Sequence, residues 1–253
     1  MKNYLREKIK TNDLIIGTWI TIPSVELVDI FSSMGFDFLV YDNEHSPIDS
    51  NLAFNMSLVA KKNNVASIIR LSDNRPDLIQ KFSDLGFDGI KVPSIKNFSD
   101  AEKFIKSALY RPHGNKGLSP FTPTANYNQV EIDKFINNYN KDIFLIAQIE
   151  GKDALEKLDE IVKIQRIDLF FIGMFDLSLS LGIPGDFKNQ LFIKSFKKVV
   201  DLCKKNDFRI GSIANNHDEM KFLIDNGVNY ITYSADCALI ANKIKDVVHK
   251  YKY

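Results

Sequence analysis

The chain has 253 residues, of which 33 are Lys or Arg and 32 are Asp or Glu, so its formal net charge is +1. A near-neutral charge without a basic stripe argues against a nucleic-acid partner, and the length suits one large domain such as an α/β barrel. The charged N-terminus, the lack of a membrane-length apolar run and two cysteines without metal-type spacing predict a cytoplasmic protein with no membrane partner.

Short apolar runs alternate with stretches of helical periodicity along the chain. The first run, Leu14 to Ile20, precedes a helix that has Ser24 as its N-cap, and we expect Ile30 and Met34 on the buried side of that helix. The same unit then repeats, with strands at 38–41, 66–71 and 89–92 and helices at 51–62, 76–85 and 99–109. A segment containing Gly and Pro and a helix near 130–139 end the first half.

The second half opens with a strand over Ile143 to Ile149, one helix over Gly151 to Gln165 and a strand over Phe170 to Ile172. The remaining elements are strands at 208–213 and 230–233 and helices at 187–205, 218–225 and 236–250. Eight strand–helix units of about 30 residues each, with no linker between them, predict an α/β fold with a single (β/α)₈ TIM barrel over residues 1–253.

In such a barrel the C-terminal ends of the strands meet at one mouth, where active sites lie. Two predicted strands lead into a carboxylate there, Glu150 and Asp176. Two acids at one mouth repel each other unless a shared proton or a hard cation compensates, and oxygen ligands of this kind suit Mg²⁺ or Mn²⁺. The alternative is that both acids are ordinary solvated caps of the following helices.

Two basic side chains are expected at the same mouth. His45 follows a strand and is a candidate general acid or base, with Asp42 near enough to orient it, although a histidine there can also be a simple loop or capping residue. Arg70 ends a buried strand and could bind a substrate carboxylate through two hydrogen bonds. Its alternative role is an ion pair with Asp42, Glu44 or Asp73.

Lys91 raises a competing chemistry. If its side chain faces the barrel interior, it can lose its proton through desolvation and form a Schiff base with a carbonyl compound. The alternation of side chains along a strand could equally turn it outward.

Taken together, the residues resemble the HpcH/HpaI family of metal-dependent pyruvate aldolases along nearly the whole chain. The segments that carry the resemblance are Asp42 to Pro47, Arg70, Asp84 to Gly89, Val92-Pro93, Gly114 to Gly117, Gln148 to Glu150 and Phe171 to Ser178. The resemblance implies a pyruvate-type (β/α)₈ barrel that assembles as a homo-hexamer. It also implies that the last helix, about 236–250, is exchanged between neighbouring subunits.

The resemblance further implies a role for each site residue. Glu150 and Asp176 would hold a divalent cation, Mg²⁺, Mn²⁺ or Co²⁺, with Gln148 beside it. Arg70 would take the carboxylate of pyruvate, His45 with Asp42 would move the proton, and Asp84 would support the site from a subunit interface. The main chain around Met174-Phe175 would cradle the keto acid, and Gly173 and Ile213, which lie at predicted strand ends, are also expected to contact the substrate.

The activity implied is the metal-dependent, reversible aldol cleavage of a 4-hydroxy-2-keto acid to pyruvate and an aldehyde. The chain departs from the usual family pattern at Asn43, Lys91, Lys116 and Met174-Phe175. We expect the ring of Phe175 to point into the mouth and narrow it. Two alternatives are a Schiff-base aldolase that uses Lys91 and a barrel without catalysis that serves in binding or assembly.

Overall fold

The computed structural model of the protein describes residues 3–11, without the side chain of Thr11, and residues 14–252. Eight parallel strands pair in the order of the sequence and close into a barrel. The strands are β1 Ile15–Ile20, β2 Phe38–Asp42, β3 Ala66–Arg70, β4 Gly89–Val92, β5 Phe144–Ile149, β6 Leu169–Ile172, β7 Arg209–Ala214 and β8 Tyr230–Ala235. The predicted (β/α)₈ barrel is therefore confirmed.

Helices follow or precede each strand on the outside of the barrel. They are α1 Tyr4–Thr11, α2 Val25–Ser33, α3 Ser50–Lys62, α4 Pro76–Asp84, α5 Phe98–Ala108, α6 Ile132–Asp142, α7 Lys152–Glu156, α8 Leu158–Ile161, α9 Met174–Ser180, α10 Gln190–Lys205, α11 His217–Asp225 and α12 Asp236–Lys252. Polar side chains cap the first turns of several helices, and Ser24 accepts from the backbone N–H of Leu27 as its position predicted.

Three parts of the helical layer differ from the sequence prediction. The single helix expected over Gly151 to Gln165 is two short helices, α7 and α8, separated by Lys157. The short helices α1 and α9 were not predicted. The helix expected from Phe187 begins instead at Gln190, because the side chain of Asn189 accepts from the backbone N–H of Leu191 and caps it there.

Side chains at alternate positions of the strands fill the barrel lumen. The apolar members of this inner layer include Trp19, Phe38, Ile68, Ile146, Phe171 and Tyr230. Gly17 leaves room for this packing, since a Cβ there would fall 2.4 Å from the ring of Phe38. The lumen is thus a packed core.

The first helix, α1, covers the N-terminal end of the barrel. The side chain of Leu5 is fully buried there. Asn3 donates from Nδ2 to the carbonyl oxygen of Asp88, just before β4, and Arg6 donates to the carboxylate of Asp168, just before β6. Hydrogen bonds therefore join α1 to the ends of several strands on the face opposite the mouth.

The last helix, α12, lies away from the body of the barrel. Asp236, its first residue, is its only buried one within the part of the chain that the structure describes. On α2, Ile30 is 55% exposed and Met34 is 71% exposed. The expectation that these two side chains are buried was wrong, because Val28 and Ser32 form the buried side of α2, and Ile30 and Met34 lie on its opposite side. Within residues 3–11 and 14–252, no helix combines the length and apolar character needed to cross a membrane.

Candidate active site

Glu150 occupies the position directly after β5 and is only 9% exposed. Its Oε1 accepts hydrogen bonds from the backbone N–H of Ser94 at 2.7 Å and from the hydroxyl of Ser94 at 3.0 Å. Its Oε2 accepts a hydrogen bond from Nε2 of Gln148. Ser94 has φ +54°, a left-handed conformation that is costly for a non-glycine residue and that often occurs at functional sites. Three donors therefore fix the carboxylate.

Gly173 connects this carboxylate to the segment that carries Asp176. A Cβ on Gly173 would fall 2.7 Å from Oε2 and 2.9 Å from Cβ of Glu150, so the position needs the space that glycine leaves. Gly173 is also the N-cap of α9, and Asp176 lies exposed in the first turn of that helix. The helix that carries Asp176, the second predicted ligand, therefore begins in contact with Glu150, the first predicted ligand.

The donor set fits a hard cation. Among the described residues, no Lys, Arg or His forms an ion pair with the nearly buried carboxylate of Glu150. Beside it, Oε1 of Gln148 is buried and has no hydrogen-bond partner in the described part of the chain. Oxygen donors of this type suit Mg²⁺ or Mn²⁺. Within the described ranges no three His, Cys, Asp or Glu side chains gather around one point, so the candidate site rests on two carboxylates.

Arg70 forms the ion pair that the sequence left open as its alternative role. Its Nε and Nη2 donate to the two oxygens of Asp42 at 3.0 and 2.7 Å, and its Nη1 lies 3.2 Å from Oε2 of Glu44. The guanidinium lies 4.2 Å from the ring centroid of Trp19. A guanidinium has five N–H donors. Two of these groups donate to Asp42, and Nη1 faces Glu44 in an ion pair, so Arg70 retains N–H groups that do not bind Asp42.

The same arrangement shifts the pKa values of Asp42 and Glu44 in opposite directions. Burial disfavours the charged form of Asp42, but hydrogen bonds and charge from Arg70 outweigh it and lower the pKa of this carboxyl. Burial raises the pKa of Glu44, and the charges of Arg70 and His45 offset only part of that rise. Asp42 is thus the fixed counter-ion of Arg70, and Glu44 binds a proton more readily.

His45 has a different neighbour from the one we expected. We expected Asp42 to orient its imidazole, but the carboxylate of Asp42 is engaged by Arg70 and accepts from the backbone N–H of His45 at 3.3 Å. The imidazole Nε2 lies 3.7 Å from Oε2 of Glu44, and the side chain is mostly exposed. Asp42 therefore holds the loop that carries His45, whereas Glu44 is the charged neighbour of the ring.

Lys91 points into the barrel, which decides between the two orientations that strand alternation allowed. In the register of the sheet it pairs with Arg70 on β3, and it is fully buried. Its Nζ lies 2.9 Å from the ring centroid of Phe171 and 4.1 Å from that of Trp19. Burial, and then the charge of Arg70, lower the pKa of Lys91 well below its usual value.

Three predicted site residues lie farther from this cluster. Ile213 is half-buried at the mouth end of β7. Phe175 is 52% exposed, and its ring packs against that of Phe187 with centroids 5.1 Å apart, rather than pointing into the mouth as we expected. Asp84 ends α4 on the opposite face of the barrel, where it forms an ion pair with Lys116. The mouth of one chain therefore does not include Asp84.

A sequence profile of the family described as HpcH/HpaI aldolase/citrate lyase matches residues 16–243. The chain belongs to this family. A solved structure of an HpcH/HpaI aldolase from Desulfitobacterium hafniense superposes with a TM-score of 0.93 at 23% identity, covering 99% of this chain and 97% of that one. A citrate synthase, SbnG, superposes with a TM-score of 0.89 at 22% identity over 99% and 98% of the two chains. These two similarities show the shared fold.

Curated relatives of this HpcH/HpaI family member are aldolases. A pyruvate aldolase from Rhizobium etli is 27% identical over 94% of this chain and 93% of its own length. A hydroxypyruvate/pyruvate aldolase from Roseobacter denitrificans is 26% identical over 99% and 97% of the two chains. These relationships support carbon–carbon lyase activity of the aldolase type.

Sequence reasoning missed two residues that shape the site of this HpcH/HpaI family member. Ser94 was not singled out, although its place directly after Val92-Pro93 at a strand end was a usable signal. Asp236 was taken only as the start of the last helix. Its buried carboxylate accepts from the backbone N–H and hydroxyl of Thr21 and from the backbone N–H of Ile22. It thereby ties the start of α12 to the loop after β1, beside the mouth.

Proposed function

We propose that the protein is a divalent-metal-dependent aldolase that cleaves a 4-hydroxy-2-keto acid reversibly to pyruvate and an aldehyde. The observation that carries the proposal is the carboxylate of Glu150, which is nearly buried at the mouth and oriented by Ser94 and Gln148, without a cationic partner among the described residues. Burying an acid without an ion-pair partner is unfavourable, and a bound cation would offset that cost. The names of the curated relatives, pyruvate aldolase among them, support the choice of keto acid.

Glu150 and Asp176 would hold Mg²⁺, Mn²⁺ or Co²⁺, with Gln148 beside it. A cation bound there would polarise the keto carbonyl and stabilise the negative charge that develops on its oxygen as the carbon–carbon bond breaks. Gly173 leaves Glu150 the space to keep its position.

The chain's own residues would bind and orient the substrate and move the proton. The N–H groups of Arg70 that do not bind Asp42 would bind the substrate carboxylate, while Asp42 keeps the guanidinium from turning. His45, exposed at the mouth beside Glu44, would accept the proton of the C4 hydroxyl during cleavage and return it during condensation. Ile213 and the segment at Phe175 would contact the remainder of the substrate.

We also propose that the protein assembles as a homo-hexamer in which α12 packs on a neighbouring subunit. Ile240, Ile244, Val247 and Tyr251 lie at helical spacing along one side of α12, and the last three are about half or more exposed. Stable monomers rarely leave such a stripe in water. The exposed Ile30 and Met34 on α2 offer an apolar surface of the same kind. The number six comes from the family resemblance, which also places Asp84 at an interface.

The test is the metal dependence of cleavage. Purified protein is treated with EDTA and assayed for pyruvate release from a panel of 4-hydroxy-2-keto acids of different length. We expect activity to disappear with EDTA and to return with Mg²⁺, Mn²⁺ or Co²⁺. Undiminished cleavage in metal-free buffer would exclude the metal-dependent reaction, and no cleavage of any panel member with any of the three cations would exclude this substrate class.

A further inference from the structure

The proposed reaction leaves one chemically reactive group of the site without a role. Lys91 is fully buried in the barrel lumen. Its Nζ has no hydrogen-bond partner among the described residues. Buried polar atoms are nearly always paired, so an unpaired amine beside a candidate active site calls for a functional explanation.

We propose that Lys91 is a second carbonyl-activating group of this site and that its amine condenses with the keto carbon of a 2-keto acid to form a Schiff base. The proposal rests on the proposed function in one respect, namely that Arg70 binds the carboxylate of the same keto acid. It adds a covalent mode of binding that does not involve the carboxylates Glu150 and Asp176.

The surroundings of Lys91 favour the neutral amine, which is the nucleophilic form. The rings of Phe171 and Trp19 cover Nζ at 2.9 and 4.1 Å and exclude water from it. The positive charge of Arg70 also lowers the pKa of Lys91, and together with burial it outweighs the charges of Glu150, Asp42 and Glu44, which raise that pKa. A desolvated lysine close to another cation is a recognised way to obtain a reactive amine at neutral pH.

Arg70 and Lys91 are paired residues of β3 and β4, and both side chains contact the ring of Trp19. The guanidinium of Arg70 lies 4.2 Å from the centroid of the Trp19 ring, and Nζ of Lys91 lies 4.1 Å from the same centroid. The keto carbon of a 2-keto acid is bonded directly to its carboxyl carbon, so a keto acid bound by Arg70 would hold its keto carbon near Lys91, the residue paired with Arg70. Lys91 has a flexible four-carbon stem, and the reaction requires a change of rotamer that takes Nζ from Phe171 to that carbon.

The step balances without an oxidant or reductant. The lone pair of the neutral amine attacks C2, the carbonyl π electrons move to oxygen, and the oxygen takes a proton while nitrogen loses one. The nitrogen lone pair then expels this hydroxyl group, which leaves as water after taking up a proton from solvent. The resulting iminium nitrogen withdraws electrons from C2, as the polarised carbonyl would.

A comparison with two other lysines distinguishes this proposal from a general effect of burial on the reactivity of lysines. Burial also lowers the pKa of Lys61 and of Lys116. Lys61, however, donates to the carbonyl oxygen of Gly86, and Lys116 donates to Asp84 and to the hydroxyl of Tyr110. If a depressed pKa alone determined reactivity, all three amines would react, whereas the proposal requires Lys91.

The experiment is reductive trapping on the full-length protein. Protein treated with EDTA is incubated with pyruvate and cyanoborohydride at neutral pH, which converts an iminium into a stable secondary amine, and the modified lysines are located by peptide mass spectrometry. We expect a saturable adduct on Lys91, at least about tenfold above any surface lysine, because each unit of lowered pKa raises the neutral fraction about tenfold. Lactate, which lacks the keto carbonyl, should leave no adduct.

Two variants serve as controls. Lys91→Met should abolish the adduct at this site, and Lys61→Met should leave the extent of labelling at Lys91 as it is in the parent. Labelling that is spread evenly over surface lysines, or confined to Lys61 and Lys116, would overturn the inference. Since the mapping is done on the parent protein, this conclusion does not depend on the folding of a variant.

Cleavage is measured in parallel on parent protein that has not been treated with cyanoborohydride. This measurement distinguishes failure of the Schiff-base proposal from failure of the metal-dependent aldolase proposal. Loss of cleavage in EDTA and its return with Mg²⁺, without an adduct on Lys91, would leave the metal-dependent aldolase standing and exclude the Schiff base. An adduct on Lys91 together with full cleavage in EDTA would support the Schiff base and exclude the metal requirement. An adduct together with metal-dependent cleavage would support both.

Discussion

Ser94 donates two hydrogen bonds to one oxygen of Glu150, from its backbone N–H at 2.7 Å and from its hydroxyl at 3.0 Å. It does so with φ +54°, a conformation that a serine adopts at a cost. Partners that orient a ligand in this way tune its affinity for a metal. The backbone strain at Ser94 is thus balanced by the fixed orientation of the predicted ligand.

Removing the hydroxyl of Ser94 should make the orientation of Glu150 less fixed while leaving its carboxylate in the site. We expect Ser94→Ala to weaken the binding of Mn²⁺ about tenfold, at the low end of the effect of such partners, because the backbone N–H still donates. Ser94→Thr keeps a hydroxyl and should retain most of the affinity. Calorimetric titration of metal-free protein measures both, and equal affinity in Ser94→Ala and the parent would show that the hydroxyl does not orient the ligand.

Adding one methyl group at Gly173 should displace Glu150. A Cβ there would lie 2.7 Å from Oε2 and 2.9 Å from Cβ of Glu150, and the hydrogen bonds from Ser94 and Gln148 oppose its retreat. We expect Gly173→Ala to abolish measurable Mn²⁺ binding and aldol cleavage. Gly151→Ala is the matched control, because a Cβ at Gly151 meets no atom within 4 Å. Normal Mn²⁺ binding by Gly173→Ala would contradict the close contact.

The ion pair of Arg70 with Asp42 gives a third prediction. Lysine keeps the charge but loses the planar fork that spans both oxygens of Asp42, so Arg70→Lys should reduce the free energy of unfolding by about 1–3 kcal/mol and raise the KM for the keto acid. Arg75→Lys is the control, since Arg75 makes the same fork with Asp77 at the surface, where it should cost under about 1 kcal/mol. Urea unfolding and steady-state kinetics measure both effects. An unchanged KM would restrict Arg70 to a structural role.

Lys91 should make stability depend on pH in a defined direction. Its pKa is lowered in the folded protein, first by burial and then by Arg70, against the opposing charges of Glu150, Asp42 and Glu44. Between that lowered pKa and the ordinary value of 10.5, the unfolded chain binds more protons than the folded one. The contribution of Lys91 to the free energy of unfolding therefore rises with pH in this window, by at most about 1.4 kcal/mol per unit.

Replacing this lysine by methionine should remove the dependence. We expect Lys91→Met to be more stable than the parent at pH 7, with a difference that shrinks as the pH approaches 10. Urea unfolding of both proteins at several pH values measures the difference. A constant difference across the range would mean that Lys91 does not change protonation on unfolding.

The exposed stripe of α12 gives a prediction on assembly. We expect Ile244→Glu to convert the oligomer to smaller species, because a charge would have to be buried against the neighbouring subunit. Asn242→Glu adds the same charge off the stripe and should leave the assembly intact. Light scattering after size exclusion measures both masses. If the parent protein is already monomeric, the proposed exchange of α12 between subunits is excluded.

Periodicity in the sequence predicted the barrel because buried parallel strands are nearly continuous apolar runs. The β4 bounds, Gly89 to Val92, were predicted without error, and most others to within one or two residues. Periodicity could not find α1 or α9, since short helices contain too few turns to show a repeat. It also placed Ile30 and Met34 inside, because apolar residues occur on more than one side of α2 and only the packed structure shows that Val28 and Ser32 form its buried side.

The choice of side-chain partners within the site was beyond the sequence. Asp42 ends β2, close to both His45 and the end of the neighbouring strand, so its position allowed either partner. In the structure its carboxylate binds Arg70. The inward direction of Lys91 required the register of β4 against β3. The positive φ of Ser94 arises from tertiary contacts that local propensity does not record.

The covering of the barrel by α1, described above, has a kinetic consequence. With Leu5 buried at one end and a packed lumen, the mouth is the single route by which molecules reach Arg70 in the part of the chain that the structure describes. When two products share one exit, a product that lies between the other and the opening must leave first. A keto acid held by Arg70 would lie beneath the aldehyde, so we expect the aldehyde to depart first and pyruvate to enter first in the reverse direction, which is an ordered sequence of binding.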